Sequence, residues 1–221
     1  MKPKDLKAPH SFEERRPVVQ DRIFFIPDYY RDYQSFTLPS WKEIFGNENP
    51  VHVEYCSGNG EWILRNAEKS PYINWVAVEL KFDRVRKIHS KRVNLELPNL
   101  FIVCGKAQVF TREYLRESSI EATYVNFPDP WPKDRHAKHR LIQASFMKDV
   151  FRAIKPGGES QFVSDAYPYI KQMQEEIESV PGWRAATIDP KEKEEYGGSY
   201  FERLWRSKGR DIHFLEYRCE K

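Results

Sequence analysis

VHVEYCSGNGEWILRNAEKS, residues 51–70, decides the fold. VHVEYC is a short apolar run closed by turn residues, a signal of a buried strand. Ser57, Gly58, Asn59 and Gly60 follow, and glycines let a backbone turn sharply and approach a ligand closely. GEWILRNAEKS then carries a helical pattern. Outward from this unit the same alternation repeats. NWVAVEL is a strand, KFDRVRKIHSKRVNLEL a helix with a basic face, LFIVCG a strand and QVFTREYLRES a helix. IEATYVNF is a fourth strand. A helix follows with Ile142, Phe146, Val150 and Ile154 at four-residue spacing, joined by Met147 and Phe151. KPGG is expected to end it, because proline cannot continue a helix and glycine permits the turn. ESQFVSD is a fifth strand, PYIKQMQEEIESV a helix, and WRAATI and DIHFLEYRC late strands. KEKEEYGGSYFERLWRSKG between those two reads as a long exposed excursion.

Strands alternating with helices predict an α/β fold, an open, mostly parallel sheet with helices on both faces. Ligands of such sheets bind beyond the carboxyl ends of the strands. The loops after Cys56, Glu79, Gly105, Asn126 and Ser164 are therefore expected to share one crevice. Residues 1–46, with the weakly periodic aromatic stretch RIFFIPDYYRDYQSF, read as an N-terminal extension packing on a main domain at 47–221.

The chain has 221 residues, 40% hydrophobic and 31% charged, which suits one well-cored domain and argues against bulk disorder. No run is long and apolar enough for a membrane helix, and MKPKDLKAPHSFEERRP lacks the apolar core of a signal peptide, so a cytoplasmic protein is expected. Cys56, Cys104 and Cys219 read as reduced thiols without metal-ligand spacing, and no metal is expected. Net charge is only +3, so partners must be inferred from local clusters.

The first loop narrows the ligand. A dinucleotide fingerprint wants a third glycine where this chain has Ile63, which disfavours pyrophosphate. Glu54 would repel a diphosphate and suits a cation. Glu79 closes the second strand about 20 residues past the glycines, where an acid accepts ribose hydroxyls. A ligand with a ribose, no phosphate and positive charge fits S-adenosylmethionine.

The fourth strand leads into NFPDPWPKDRHAKHR, residues 126–140. Pro128, Pro130 and Pro132 fix φ, lack an N–H, and push Phe127, Asp129 and Trp131 towards extended geometry. The hook should be stiff, as a carboxylate with a fixed role requires. Lys133, Arg135, Lys138 and Arg140 follow within eight residues and read as phosphate contacts. A second set, Lys81, Arg84, Arg86, Lys87, Lys91 and Arg92, either extends that track or is a solvated helix face.

With E-x-x-x-G-x-G, an acid ending the second strand, and NFPDPWPKxRHxKxR, the chain resembles the bacterial tRNA (guanine-N7)-methyltransferase family. The likeness runs from about Val51 to Glu202, about two-thirds of the chain, and PDPWPK is its most specific part. It implies a Rossmann-like class I methyltransferase, S-adenosylmethionine as donor, and methylation of a guanine in the tRNA variable loop. The resemblance implies donor contacts at Glu54, Gly58, Gly60, Glu79, Lys106 and Asp129. Lys106 departs from the family, which has an acid or amide acceptor there; lysine has only donors. Either neighbouring backbone holds the adenine or the Lys106 ammonium faces away. Guanine N7 carries an in-plane lone pair, so no strong general base is needed. The ring instead becomes cationic as the methyl arrives, and Asp129 is expected to stabilise that charge as the catalytic residue. Asn126 would position the base or the methionine part of the donor. Trp131 would either stack on a base or cap the core beneath the loop.

Substrate contacts implied by the resemblance are Lys133, Asp165, Ser199, Tyr200, Phe201 and Glu202. Serine replaces the family's threonine at 199, and Glu202 would accept from guanine N1–H and its exocyclic amine. Competing readings are an enzyme that methylates an exocyclic amine and a non-catalytic RNA-binding domain on the same scaffold. A nicotinamide dehydrogenase is disfavoured by Ile63 and Glu54.

Overall fold

The computed structural model describes residues 1–9, 14–28, 32–186 and 199–221, in two compact units, Met1–Leu115 and Arg116–Lys221.

The first unit holds strands β1 (Val18–Gln20), β2 (Ile23–Phe25), β3 (Val51–Tyr55), β4 (Asn74–Glu79) and β5 (Leu100–Cys104), in the order β1-β2-β5-β4-β3. Every pair is parallel except β1 with β2. β4 is buried along its whole length, as a strand covered on both faces must be. Its helices are α1 (Trp41–Phe45), α2 (Glu61–Lys69), α3 (Phe82–Asn94) and α4 (Ala107–Val109). Ser40 and Glu43 form a capping box that starts α1, and Gly46 in the left-handed region ends it. The N-terminal segment does more than pack on a finished domain. β2 adds to the sheet beside β5, with Phe25 opposite Cys104.

Two cations on the basic face of α3 hold that segment. Arg86 donates to the carbonyls of Pro3 and Lys4 at 3.0 Å each, and Arg92 reaches the Asp21 carbonyl. Arg84 lies 3.7 Å from Glu79. QVFTREYLRES is helical as far as Tyr114, but not as one regular α-helix. Only Ala107–Val109 is α-helical, and a wider turn follows over Phe110–Tyr114, where Leu115 N–H reaches back to the Phe110 carbonyl. The Thr111 hydroxyl bonds the Ala107 carbonyl at 2.9 Å and the Tyr55 hydroxyl at 2.7 Å, competing with regular helical pairing.

The second unit holds β6 (Ile120–Asn126), α5 (Ala144–Ala153), β7 (Ile154–Ser164), α6 (Tyr167–Glu178), β8 (Trp183–Ala185), α7 (Tyr200–Ser207) and β9 (His213–Cys219). Its strand order is β6-β7-β9-β8, with β6 and β7 parallel and the other pairs antiparallel. Two expectations are corrected here. α5 ends at Ala153, just before KPGG as expected, but Lys155–Gly158 already lie in β7 and form no separate turn. The register of β7 against β6 shifts between Ile120 and Ala122, the kind of irregularity where a strand tolerates proline. A Cβ on Gly158 would stand 2.5 Å from the Glu121 carbonyl oxygen, so close approach of the two backbones requires glycine there. The second correction concerns the presumed excursion, which contains α7. The rest of it, up to residue 198, lies outside the described residues, as does the end of WRAATI.

Among the described residues no helix is long and apolar enough to cross a membrane, and no group of three or more His, Cys, Asp or Glu could hold a metal ion.

Candidate active site

In the first unit the strand-end loops are tied together by Glu79. Its carboxylate, 4% exposed, accepts from Gly58 N–H and from Lys81 N–H, both at 2.8 Å. The glycine loop and the end of β4, paired only by spacing in the sequence, are thus joined. The Gly58 amide is also turned onto a carboxylate, the reverse of a phosphate cradle. Ser57 N–H donates to the Val78 carbonyl and Gly60 N–H to the Ser57 carbonyl, which closes the turn. The two glycines serve different ends. A Cβ on Gly60 (φ +78°) would lie 2.8 Å from the Ile88 side chain, so this glycine lets the loop pack on α3. A Cβ on Gly58 (φ +57°) would meet nothing nearer than the Cys56 carbonyl at 3.9 Å, which leaves its outer face open. Ile63 is fully buried, a core residue in place of the fingerprint's third glycine. Glu54 is 2% exposed at the end of β3. Lys106 does not reach over the strand ends alone. Its ammonium lies 3.4 Å from the Asp28 carboxylate, contributed by the segment after β2.

In the second unit Asn126 ends β6, buried and opposite Val163 of β7. The hook after it is strained where it was expected only to be stiff. Phe127 and Trp131, both preceding prolines, are not extended; their φ angles are +48° and +42°. Such conformations cost on the order of 1–3 kcal/mol each and persist where the surroundings over-determine them. Those surroundings are visible. Phe127 N–H donates to the Val163 carbonyl at 2.8 Å, and the Phe127 ring stands 6.3 Å from that of Phe201. Arg140 donates to the Pro130 carbonyl at 2.7 Å and the Trp131 carbonyl at 3.2 Å, bonds Gln172, and lies over the Tyr169 ring.

Arg140 is therefore buried and clamps the hook, so it is no phosphate contact. Nothing in the spacing of the basic run separates it from its neighbours. Lys133, Arg135 and Lys138 are exposed, and so is Asp129 at the middle of the hook. Trp131 is 39% exposed, its ring 5.3 Å from His139 and 5.8 Å from His136. It caps no core.

The later residues gather on α7. Ser199 is its N-cap, and its hydroxyl accepts from Glu202 N–H at 3.0 Å. The same hydroxyl on threonine would do this equally, which explains why serine stands there. Glu202 is buried and its carboxylate pairs with Arg206 at 2.9 Å, one turn on. Asp165 pairs with Arg210, whose guanidinium lies 4.0 Å over the Trp205 ring. Tyr200 is exposed, and its ring is 5.4 Å from that of Phe201. Reading Ser199-x-x-Glu202 as a helix start would have found this element in the sequence. Arg206 and Arg210 were missed.

A family model described as a putative methyltransferase matches residues 48–215. The chain is 46% identical over 222 residues to a Chlamydia muridarum protein named tRNA (guanine-N(7)-)-methyltransferase, covering 98% of this chain and 97% of that one. A Rubrobacter xylanophilus protein of the same name is 33% identical over 196 residues, covering 85% and 84%. Among solved structures, the 16S rRNA methyltransferase KamB is similar with a TM-score of 0.61 at 16% identity, covering 82% of this chain and 93% of that one. A 16S rRNA (adenine(1408)-N(1))-methyltransferase from Catenulisporales acidiphilia, solved with cosubstrate SAM, is similar with a TM-score of 0.61 at 15% identity, covering 93% and 97%. At such identities the structural likeness carries the fold alone.

Proposed function

The chain belongs to the tRNA (guanine-N7)-methyltransferase family, and from that premise we infer that it methylates N7 of a guanine in the tRNA variable loop. It is an S-adenosylmethionine-dependent methyltransferase with the Rossmann-like class I fold. A cytoplasmic setting, where tRNA resides, fits this reading.

The residues fit the donor. The observation that carries the reading is the Glu79 carboxylate, buried and bonded to the Gly58 amide. That bond withdraws the loop from anion binding, and the carboxylate's remaining lone pairs suit ribose hydroxyls. Glu54, a second buried carboxylate, suits the ammonium of an amino acid. When bound, S-adenosylmethionine supplies a methyl group carried on a sulfonium.

The guanine N7 lone pair needs no deprotonation, so the chain supplies position and charge. Asp129 offsets the positive charge that the purine acquires and accepts from its N–H groups. Asn126 orients the base or the donor's amino acid part. Trp131, held out of the core, offers a face for a base. Glu202 and Asp165, each oriented by an arginine, read the guanine edge. Lys133 meets backbone phosphate. Ser199, Tyr200 and Phe201 hold this group through the helix they begin.

Incubation with methyl-labelled donor and unmodified tRNA, followed by nucleoside mapping, tests the reading. Label at N7 of a variable-loop guanine is expected. Label on an exocyclic amine would overturn the position assigned. Absence of donor binding by calorimetry would reduce the protein to an RNA-binding domain.

A further inference from the structure

We propose that Asp28, from the N-terminal segment, is the acceptor that recognises the 6-amino group of the donor's adenine, with Lys106 as the residue that positions it. This rests on the donor reading above.

If Glu79 holds the ribose, the nucleobase extends across the neighbouring strand ends. The register there is explicit: Glu79 is opposite Cys104, and Cys104 is opposite Phe25. The next groups met after β4 are therefore Gly105 and Lys106, then the residues after β2. An exocyclic amine needs an acceptor, and a carboxylate is a stronger one than a carbonyl that already shares its oxygen. The carbonyls of Val78, Glu79, Cys104 and Lys106 already accept from the N–H groups of Ser57, Gly105, Ile26 and Phe110. Lys106 itself has no lone pair to offer.

The Asp28 carboxylate is 3.4 Å from the Lys106 ammonium, and both side chains are about half exposed. The ion pair draws the carboxylate towards the end of β5, and its other lone pairs stay available. Two further observations put Asp28 at this end of β5. Gly105 lets the segment come close, since a Cβ there would lie 2.7 Å from Ile26 Cβ. Burial, with Glu79 and Asp28 nearby, pushes the Cys104 thiol up to about 12, so both carboxylates act on the last residue of that strand. An acceptor missing from the position after β5 is thus restored from the adjoining strand, and Lys106 turns from an anomaly into its support.

Calorimetry with S-adenosylhomocysteine and with S-inosylhomocysteine, whose 6-oxo group replaces the amine, tests this. The unaltered protein should prefer the adenosyl compound by about tenfold or more, the scale of a charge-assisted hydrogen bond. Asp28→Ala should weaken the adenosyl compound about tenfold and level the two affinities. Asp28→Asn, whose amide can also donate to an oxo group, should level them without that loss. Lys106→Ala should weaken binding severalfold yet keep the preference for the amine. An undiminished preference in Asp28→Ala would overturn the assignment while leaving the donor reading intact. Failure of the unaltered protein to bind either compound would overturn both.

Discussion

Asp129 sits between two residues whose backbones are held in the left-handed region. A carboxylate placed in this way is held in position, which suits the role proposed for it, meeting charge that appears on a neighbouring ring. Asp129→Asn keeps the shape and removes the charge. It should lower single-turnover methyl transfer by roughly 10²–10³ at saturating donor. The cations nearby separate by burial. Lys133→Ala should reduce the slope of log tRNA affinity against log salt by about one unit. Arg140→Ala should leave that slope unchanged, because Arg140 bonds the Pro130 and Trp131 carbonyls. It should instead cost about 2–3 kcal/mol in urea unfolding, the loss of buried hydrogen bonds from a charged group. The sequence shows the hook and its cations, but not this division. Proline was expected to extend its predecessor, and tertiary bonds to Val163 and Arg140 override that local preference at Phe127 and Trp131.

At the level of elements, β3, β4, β5 and β6 were legible because their apolar runs are five to seven residues long and bounded by turns. β1 and β2 were not, since three residues carry no periodicity. α7 was obscured by its charges, two of which, Glu202 and Arg206, pair with each other, while Arg210 just beyond its end pairs with Asp165. Its cap is its clearest sequence mark. Ser199→Ala should destabilise α7 by about 1 kcal/mol and lower methyl transfer, whereas Ser199→Thr should match the unaltered protein in both. Equal activity of the alanine and threonine variants would remove the cap from the site's support. KPGG misled because a proline and two glycines mark a turn in isolation, yet β7 uses them where its register shifts.

Over the whole molecule, the titration of buried groups sets an alkaline limit. Burial raises Cys104 to about 12 and pushes the Tyr124 and Tyr217 phenols well above their ordinary values. These groups keep their protons in the folded chain where the unfolded chain releases them. Their contribution is therefore fully present below about pH 9 and is lost as pH rises through the range above it. Stability measured by urea titration should fall between pH 9 and 11, by up to about 1.4 kcal/mol per pH unit for each group. Cys104→Ala should flatten the first part of that decline. The seam between β2 and β5 has a different bearing, on synthesis. Ile23 pairs with Ile102, 79 residues later. At about 5–20 residues per second, β2 leaves the ribosome roughly 4–16 seconds before its neighbour exists. During that interval β1 can pair with only one edge of β2, and the other stands bare, so this seam closes late in synthesis.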